Sequence, residues 1–579
     1  MNLDPVKREL IRNSLVMISD NMLVSVIRTA RSIVVKNNFD FSASICDPNG
    51  QMVAQGLAVP GHLGAIMPPL KACLDAFGDD IGPGDIFANN DPFSGGSHLN
   101  DIFMYKPVYV SGRRVAILAL ILHHTDMGGR VPGGNAADSN EIYQEGLRIP
   151  PSKIYEAGAA NQTLLRILEA NVRVSDRLMG DIRAQVAALN AAEKEIHRLL
   201  EEYSFDEFNA YLGDIIDYSE RLTRAGIRAL PDGEAEFVEW NDDDGVGGGP
   251  VKIQLKLTIR GDEVIADFTG TSAQTGGSLH TNYWFTASCT YAALRTVLDP
   301  NVPNNAGFYR PITIIAPEGS WVNPIFPAAF GARGQGGYRV RSVVLGALAQ
   351  ILPNKMTACP GGSEFAIVIA GKRSDRKPFL HLEMHNTTGH GGGPDRDGQD
   401  AGPYCIGNLA NTPVELLEAE SPILVDCYEF LPDTGGPGKY RGALGIVRQY
   451  RILSDEALVQ LRSDRRDFKC WGLFGGEGGV PARSWKNPDG NDREELPSKF
   501  IRTFKAGDVF RGEMAAAGGY GDPLERDPVA VFDDIRQDKM TLAHARDTYG
   551  VVLDAQNAAV DTARTQAARQ KLHSRRSKK

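Results

Sequence analysis

The sequence predicts an α+β protein in three parts: a mixed α/β N-terminal domain over residues 1–230, a β-rich domain over 231–525, and C-terminal helices with a basic tail over 526–579. Three observations carry this reading. The first third combines apolar residues spaced three or four apart with short alternating runs, the periods of helix and strand. Near Asp232 the character changes, and from Ala235 onward alternating runs such as Val251-Lys252-Ile253-Gln254-Leu255-Lys256-Leu257 dominate. After Asp527-Pro528 helical patterns return. A chain of 579 residues would ordinarily hold three or four domains, or two large ones.

In order, Asp4-Pro5 reads as an N-cap followed by proline at the first helical position. Ile11, Leu15, Ile18, Met22 and Val26 then mark one buried stripe of a helix. Residues 37–47 alternate like a strand, with Phe39, Phe41 and Ile45 on the apolar side and Asp40 and Ser42 on the other. Asp47-Pro48-Asn49-Gly50 has the chemistry of a hairpin turn, and a second strand over 51–55 follows. Then come the Gly-flanked histidine of Val59-Pro60-Gly61-His62-Leu63-Gly64 and a helix over 66–77. Further on, Ser175 caps a helix whose stripe is Leu178, Ile182, Val186, Leu189, Ile196 and Leu200. A helix is expected over 286–298, after a Gly-rich turn at 269–282; free N–H groups at such a start would suit an anion, although no GxGxxG spacing is present. The terminal His573-Ser574-Arg575-Arg576-Ser577-Lys578-Lys579 reads as a frayed, solvated tail.

Composition excludes several classes. No apolar run approaches the roughly twenty residues of a membrane span, and the N-terminus lacks a signal segment. Seven scattered cysteines without CxxC spacing argue against a cysteine-based zinc site or a disulfide framework, so a reduced cytoplasm is expected. A net charge of −10 argues against general nucleic-acid binding. No P-loop, GxSxG elbow or internal repeat is visible, so no complete nucleotide site is expected in this chain.

The chemistry concentrates in residues 89–126. A Gly-rich turn, Asn90-Asp91-Pro92-Phe93-Ser94-Gly95-Gly96-Ser97, delivers His98 and, three residues later, Asp101 at the head of an apolar run. A second strand-like run over 115–122 ends in His123-His124-Thr125-Asp126. His98, Asp101 and His123 offer N, O and N ligands, the mixture that Zn²⁺ or Mn²⁺ accepts with a position left open. The alternative is that these polar residues only order a loop. The long Gly-rich loop to Asn140 closes with Glu141-Ile142-Tyr143-Gln144-Glu145-Gly146-Leu147-Arg148-Ile149-Pro150; Glu145 and Arg148 would shape a substrate pocket or form a surface ion pair. Two more glycine concentrations occur, at 331–337 around Arg333 and at 389–393. The second follows His381 and His385 and includes His390, a weaker candidate for another metal.

These motifs resemble the hydantoinase B/oxoprolinase family. The matching features are Asp40-Phe41-Ser42, Pro60-Gly61-His62-Leu63-Gly64, the stretch from Asn90 through His98 and Asp101, His123-His124 with Gly128-Gly129, and residues 144–150. Asn171-Val172-Arg173, Gly180-Asp181-Ile182-Arg183-Ala184-Gln185 and Gly518-Gly519-Tyr520-Gly521-Asp522-Pro523 follow in the same order. Many relatives carry an acidic residue where this chain has Lys36-Asn37-Asn38, and the match near 333–341 is looser. The resemblance implies a divalent metal, Zn or Mn, held by Asp40, His98, Asp101 and His123. It also implies a partner of the hydantoinase A type, an actin-like-fold ATPase that phosphorylates a cyclic amide with ATP and Mg²⁺, in a heterotetramer or larger assembly.

On that reading this chain is the hydrolytic subunit of an ATP-dependent cyclic amidase, opening a hydantoin, lactam or oxoproline-like ring. His124 or Asp126 would orient water or act as base, or would only position His123. An alternative from the same resemblance is the metal subunit of an ATP-dependent ketone carboxylase, of the acetone or acetophenone type. A non-enzymatic scaffold for the ATPase is a third.

Overall fold

The structure, a computed structural model, describes residues 3–56, 59–362, 365–385, 388–403, 406–407 and 409–576. Its fold is α+β. A seven-stranded sheet organises the N-terminal part, built from β1 (Phe41–Cys46), β2 (Met52–Gln55), β3 (Ile86–Asn89), β4 (Asp101–Val110), β5 (Arg113–His123), β6 (Ser152–Glu156) and β7 (Ala159–Ala160). The strand order is β2-β1-β5-β4-β3-β6-β7, so β5 and β4 occupy the centre.

Both faces of this sheet are covered, which explains the unbroken apolar run of β5. Leu118, Leu120 and Leu122 enter one core with the helices Pro5–Thr29, Ser175–Leu199 and Phe205–Arg228. Ile117, Ala119 and Ile121 enter the other core. That second core continues into β8 (Gly233–Asn241), β9 (Val251–Arg260), β10 (Glu263–Asp267) and β11 (Ile312–Ile315), a four-stranded sheet in the order β11-β10-β9-β8. Two further sheets, one around Phe365–Lys372 and Glu456–Arg462 and one around Gly445–Ile452, share a third core.

The local signals appear where the sequence places them. The Asp4 carboxylate caps Val6 N with Pro5 next, and Ile11, Leu15, Ile18, Met22 and Val26 are buried. By length and composition alone this 25-residue helix would reach across a bilayer, with a mean hydropathy of 1.3 in its most apolar stretch; the sequence reading of no such run is corrected here. Its stripe packs in the core of the sheet instead. At the hairpin, Asp47 Oδ1 accepts from Asn49 N and Gln51 N, and Gly50 takes φ 88°.

Other expectations are revised. Ser175 opens its helix as the first residue, with Val174 in the cap position and no side-chain cap. The helix expected over 286–298 runs Tyr283–Leu294, and its cap Asn282 accepts from Phe285 N. Asn282 Nδ2 also donates to Gly96 O at 2.6 Å, so this helix start is tied to the turn before His98. Phe39 lies outside the strand at φ 62°, and β1 is buried along its whole length instead of alternating. The glycine-rich stretch at 331–337, to which the sequence reading assigns no element, leads into a long helix, Arg333–Ile351. A Cβ at Gly336 would stand 2.5 Å from Leu279 O, so glycine here permits close packing of a helix buried on nearly every side. The terminal tail is helical as far as Arg576, which pairs with Asp522 and Glu477; residues 577–579 lie outside the described chain.

Candidate metal centre

Three adjacent strand ends converge on the inner face of the first sheet. Asp101, the first residue of β4, lies directly across from His123, the last of β5. Asp40 immediately precedes β1, and its carbonyl accepts from His123 N at 3.1 Å. Alternation decides the facing: Phe41, Ala43 and Ile45 point to the helices, which leaves Asp40 and Ser42 toward the other side. His98 is carried by the turn before β4. Asn90 braces that turn, donating to Leu99 O at 2.7 Å and accepting from Ile149 N at 2.6 Å.

The ligand atoms of His98, Asp101 and His123 all lie within 4.8 Å of one another, and all three residues are buried. His98 Nε2 is 3.2 Å from Asp101 Oδ1, and the two imidazole centroids are 5.0 Å apart. Neither ring nitrogen of His98 or His123, nor Asp101 Oδ1, has an aligned hydrogen-bond partner among the described residues. Buried polar atoms left without partners are costly, and a shared cation would satisfy one ring nitrogen of each imidazole together with the Asp101 oxygen. Asp40 stands outside the 4.8 Å set but lines the same small cavity, of about 50 Å³, with His62, His98 and His123.

Electrostatics agree with that fit. Burial pushes the Asp40 acid up to about 8, with the Asp101 charge adding to the shift and Arg333 opposing it. Burial, reinforced by Arg333, lowers His98 to about 4, against the pull of Asp101. His123 is held well below its usual value by burial and by His98. For Asp101, burial alone would raise the acid, but His98 and Arg333 outweigh it and hold the group well below the carboxylate range. The imidazoles are therefore neutral near pH 7, the form in which they ligate metals.

The remaining candidates occupy different places. His124 follows His123 and so turns to the opposite face, where Nδ1 lies 3.9 Å from Asp181 Oδ2 against the helix Ser175–Leu199. Asp126 is fully engaged: Oδ1 accepts from Gly133 N and Arg173 Nη1, and Oδ2 from Arg173 N. The Glu145 carboxylate accepts from Phe330 N and Gly331 N, holding the segment that leads to Arg333. Arg148 pairs with Asp91 at 3.4 Å and stacks over Phe326. None of these four is among the described residues lining the cavity. At the weaker metal candidate, His381 Nε2 meets Glu383 Oε2 at 3.1 Å, and Glu383 also accepts from Arg448 and Tyr450. The side chain of His385 is outside the described chain. Among the described residues, His98, Asp101 and His123 form the single three-ligand set.

Sequence reasoning missed four contributors. His62 lines the cavity, with Nδ1 2.9 Å from Ser42 Oγ, and burial lowers it to about 4. Ser97 Oγ and Arg333 Nη2 both donate to Asp101 Oδ2. Arg462, from the strand Glu456–Arg462, reaches the cavity and donates to Gly331 O at 2.7 Å. The Gly-flanked motif of His62 and the glycines around Arg333 were visible signals; nothing local marks Arg462.

Buried imidazoles and a carboxylate around one cavity, on a two-faced sheet, define a protein with a preformed candidate divalent-metal centre. The chain belongs to the hydantoinase B/oxoprolinase family, whose sequence profile matches residues 4–523. It is 30% identical over 573 residues to the B component of the putative D-/L-hydantoinase of Pseudomonas sp. (strain NS671), covering 95% of each chain. The crystal structure of the ATP-dependent caprolactamase from Pseudomonas jessenii superposes with a TM-score of 0.93 at 30% identity, over 98% of this chain and 100% of that one. A nucleotide-free acetone carboxylase structure superposes at 0.92 over 100% of this chain and 84% of that one, at 19% identity, which is a likeness of fold.

Proposed function

We propose that this chain is the metal-dependent hydrolytic subunit of an ATP-dependent cyclic amidase acting on a hydantoin, lactam or oxoproline-like ring. The observation that carries the reading is the buried His98, Asp101 and His123 set, with imidazole nitrogens and Asp101 Oδ1 lacking aligned hydrogen-bond partners among the described residues, in a chain of this family. Asp40, His98, Asp101 and His123 would hold one divalent ion, Zn²⁺ or Mn²⁺. Such an ion supplies Lewis acidity, polarising a substrate oxygen and making water a better nucleophile.

An unstrained amide resists water because its carbonyl carbon is weakly electrophilic. A partner ATPase of the hydantoinase A type would transfer the γ-phosphoryl group of ATP, with Mg²⁺, to the amide oxygen. Water then adds to the activated carbon and the ring C–N bond breaks, the nitrogen taking a proton. A second water releases phosphate from the resulting acyl phosphate. This chain's residues bind and orient: Arg333 and Ser97 fix Asp101, and Asp126 with Arg173 fixes the loop behind His123. His62, neutral and braced by Ser42, is the cavity imidazole outside the ligand set and accepts or returns a proton there.

The test is co-expression with an ATPase of the hydantoinase A type, followed by a screen of hydantoins and lactams for ATP-dependent opening. Oxygen from H₂¹⁸O should enter the new carboxylate, with no requirement for bicarbonate. Strict bicarbonate dependence, with labelled carbon in the product, would replace this reading by the ketone-carboxylase one, which shares the fold.

A further inference from the structure

We infer that Arg333 is a positioning residue of the metal centre: with Ser97 it occupies one oxygen of Asp101, so that Asp101 ligates through Oδ1 alone and the ion keeps few ligands. The inference rests on the metal-dependent function proposed above and adds to it what sets the number of donors around the ion.

Asp101 is fully buried, and its two oxygens have different surroundings. Oδ2 accepts from Ser97 Oγ and from Arg333 Nη2, and Arg333 Nη2 also donates to Ser97 Oγ at 3.2 Å, closing a triangle. Those two donors use the lone pairs of Oδ2. Oδ1 has no aligned hydrogen-bond partner among the described residues and lies 3.2 Å from His98 Nε2. Oδ1 is therefore the Asp101 oxygen left for an ion.

Arg333 holds its place independently of Asp101. It stands at the start of the helix Arg333–Ile351, its N donates to Phe330 O at 3.0 Å, and Phe330 N is held in turn by the Glu145 carboxylate. Its guanidinium lies 4.2 Å over the Phe285 ring and the residue is 9% exposed, so the fork is packed in place rather than free in solvent. A two-oxygen grip by Asp101 would need Oδ2 freed of both donors, and would draw a cation toward a guanidinium whose charge repels it. Asp101 thus gives one oxygen beside the imidazoles of His98 and His123. Zn²⁺ is satisfied by such a small set, whereas Mn²⁺ gains from each further carboxylate oxygen. Removing Arg333 should therefore shift the balance between the two ions, an effect that lost charge alone would not give, since both ions carry the same charge.

The experiment uses the full chain, and the probes are the metals alone: Co²⁺, read by its visible absorption, and Zn²⁺ against Mn²⁺ in competition calorimetry. The wild-type chain should give the intense Co²⁺ bands of a four- or five-coordinate ion. Arg333→Gln should give the weak bands of a six-coordinate one, and its ratio of Zn²⁺ to Mn²⁺ affinity should fall about tenfold or more. Arg333→Lys, which keeps a charged donor for Oδ2, should return most of the wild-type spectrum and ratio. If Arg333→Gln does not fold, Ser97→Ala decides: loss of one of the two donors should move the ratio in the same direction, by less. A six-coordinate spectrum in the wild-type chain, or an unchanged spectrum and ratio in the folded variants, overturns the role of Arg333 and leaves the metal-dependent function standing. A wild-type chain that binds none of the three ions refutes that function, and this inference with it.

Discussion

Metal uptake by the apo chain should tighten as pH rises and level off near pH 8. Asp40 carries the argument: it is buried beside Asp101, and those two causes hold its acid at about 8 in the absence of a cation. A carboxyl must lose its proton before it can ligate. His98 stays neutral down to about 4 and burial with His98 holds His123 well below its usual value, so Asp40 is the ligand that carries a proton near neutral pH. One proton should therefore leave per ion bound, and the logarithm of the affinity should rise about one unit per pH unit below 8. At pH 6 the ion must displace a proton held two units above the solution pH, a cost of about 2.7 kcal/mol, or roughly a hundredfold in affinity. Calorimetric titration with Zn²⁺ or Mn²⁺ in buffers of different ionisation enthalpy reads this directly: close to one proton released at pH 6 and close to none at pH 9. Asp40→Asn should bind more weakly and with a flat profile over that range. A flat profile in the wild-type chain, or an unchanged slope in Asp40→Asn, would refute the assignment of Asp40 as the titrating ligand.

Acid should destabilise the apo protein through His62 as well, which is held at about 4. Because the folded value lies below the unfolded one of about 6.5, the unfolded chain takes up the proton first, so stability is complete above 6.5 and falls toward pH 4. At pH 5 its share of the loss is about 2 kcal/mol, and urea denaturation at pH 7 and 5 should show a loss smaller by about that amount in His62→Gln than in the wild type, the other buried imidazoles, His98, His123 and His280, contributing equally to both. Asp126→Asn should cost about 1–3 kcal/mol by weakening the Gly133 and Arg173 contacts, while elemental analysis finds the metal retained. His124→Gln should likewise keep the metal, since its ring faces Asp181 rather than the cavity; loss of stoichiometric metal would contradict that facing. His98→Ala should abolish stoichiometric metal, and metal surviving in that variant would exclude His98 as a ligand.

Sequence alone determined what depends on neighbours a few residues apart. The cap at Asp4-Pro5, the hairpin at 47–50 and the stripe from Ile11 to Val26 are local, because hydrogen-bond reach and helix period act over one to four residues. The three-residue step from His98 to Asp101 and the end of the β5 run at His123 are also local, which is why the ligand candidates were legible. Which of two consecutive histidines faces the cavity required the sheet: the one-residue alternation sends His123 inward and His124 to Asp181, and a strand buried on both faces gives no apolar pattern to choose between them. The glycines at 331–337 gave no element in the sequence because their reason is close packing against distant chain, Gly336 on Leu279 and Gly337 on Phe285. Arg333 meets Asp101 across 232 positions, and Arg462 meets Gly331 across 131. Side chains brought together over such separations leave no period or spacing in the sequence; only the packing of the second core against the first sheet decided that the ligand set would be flanked by two buried arginines.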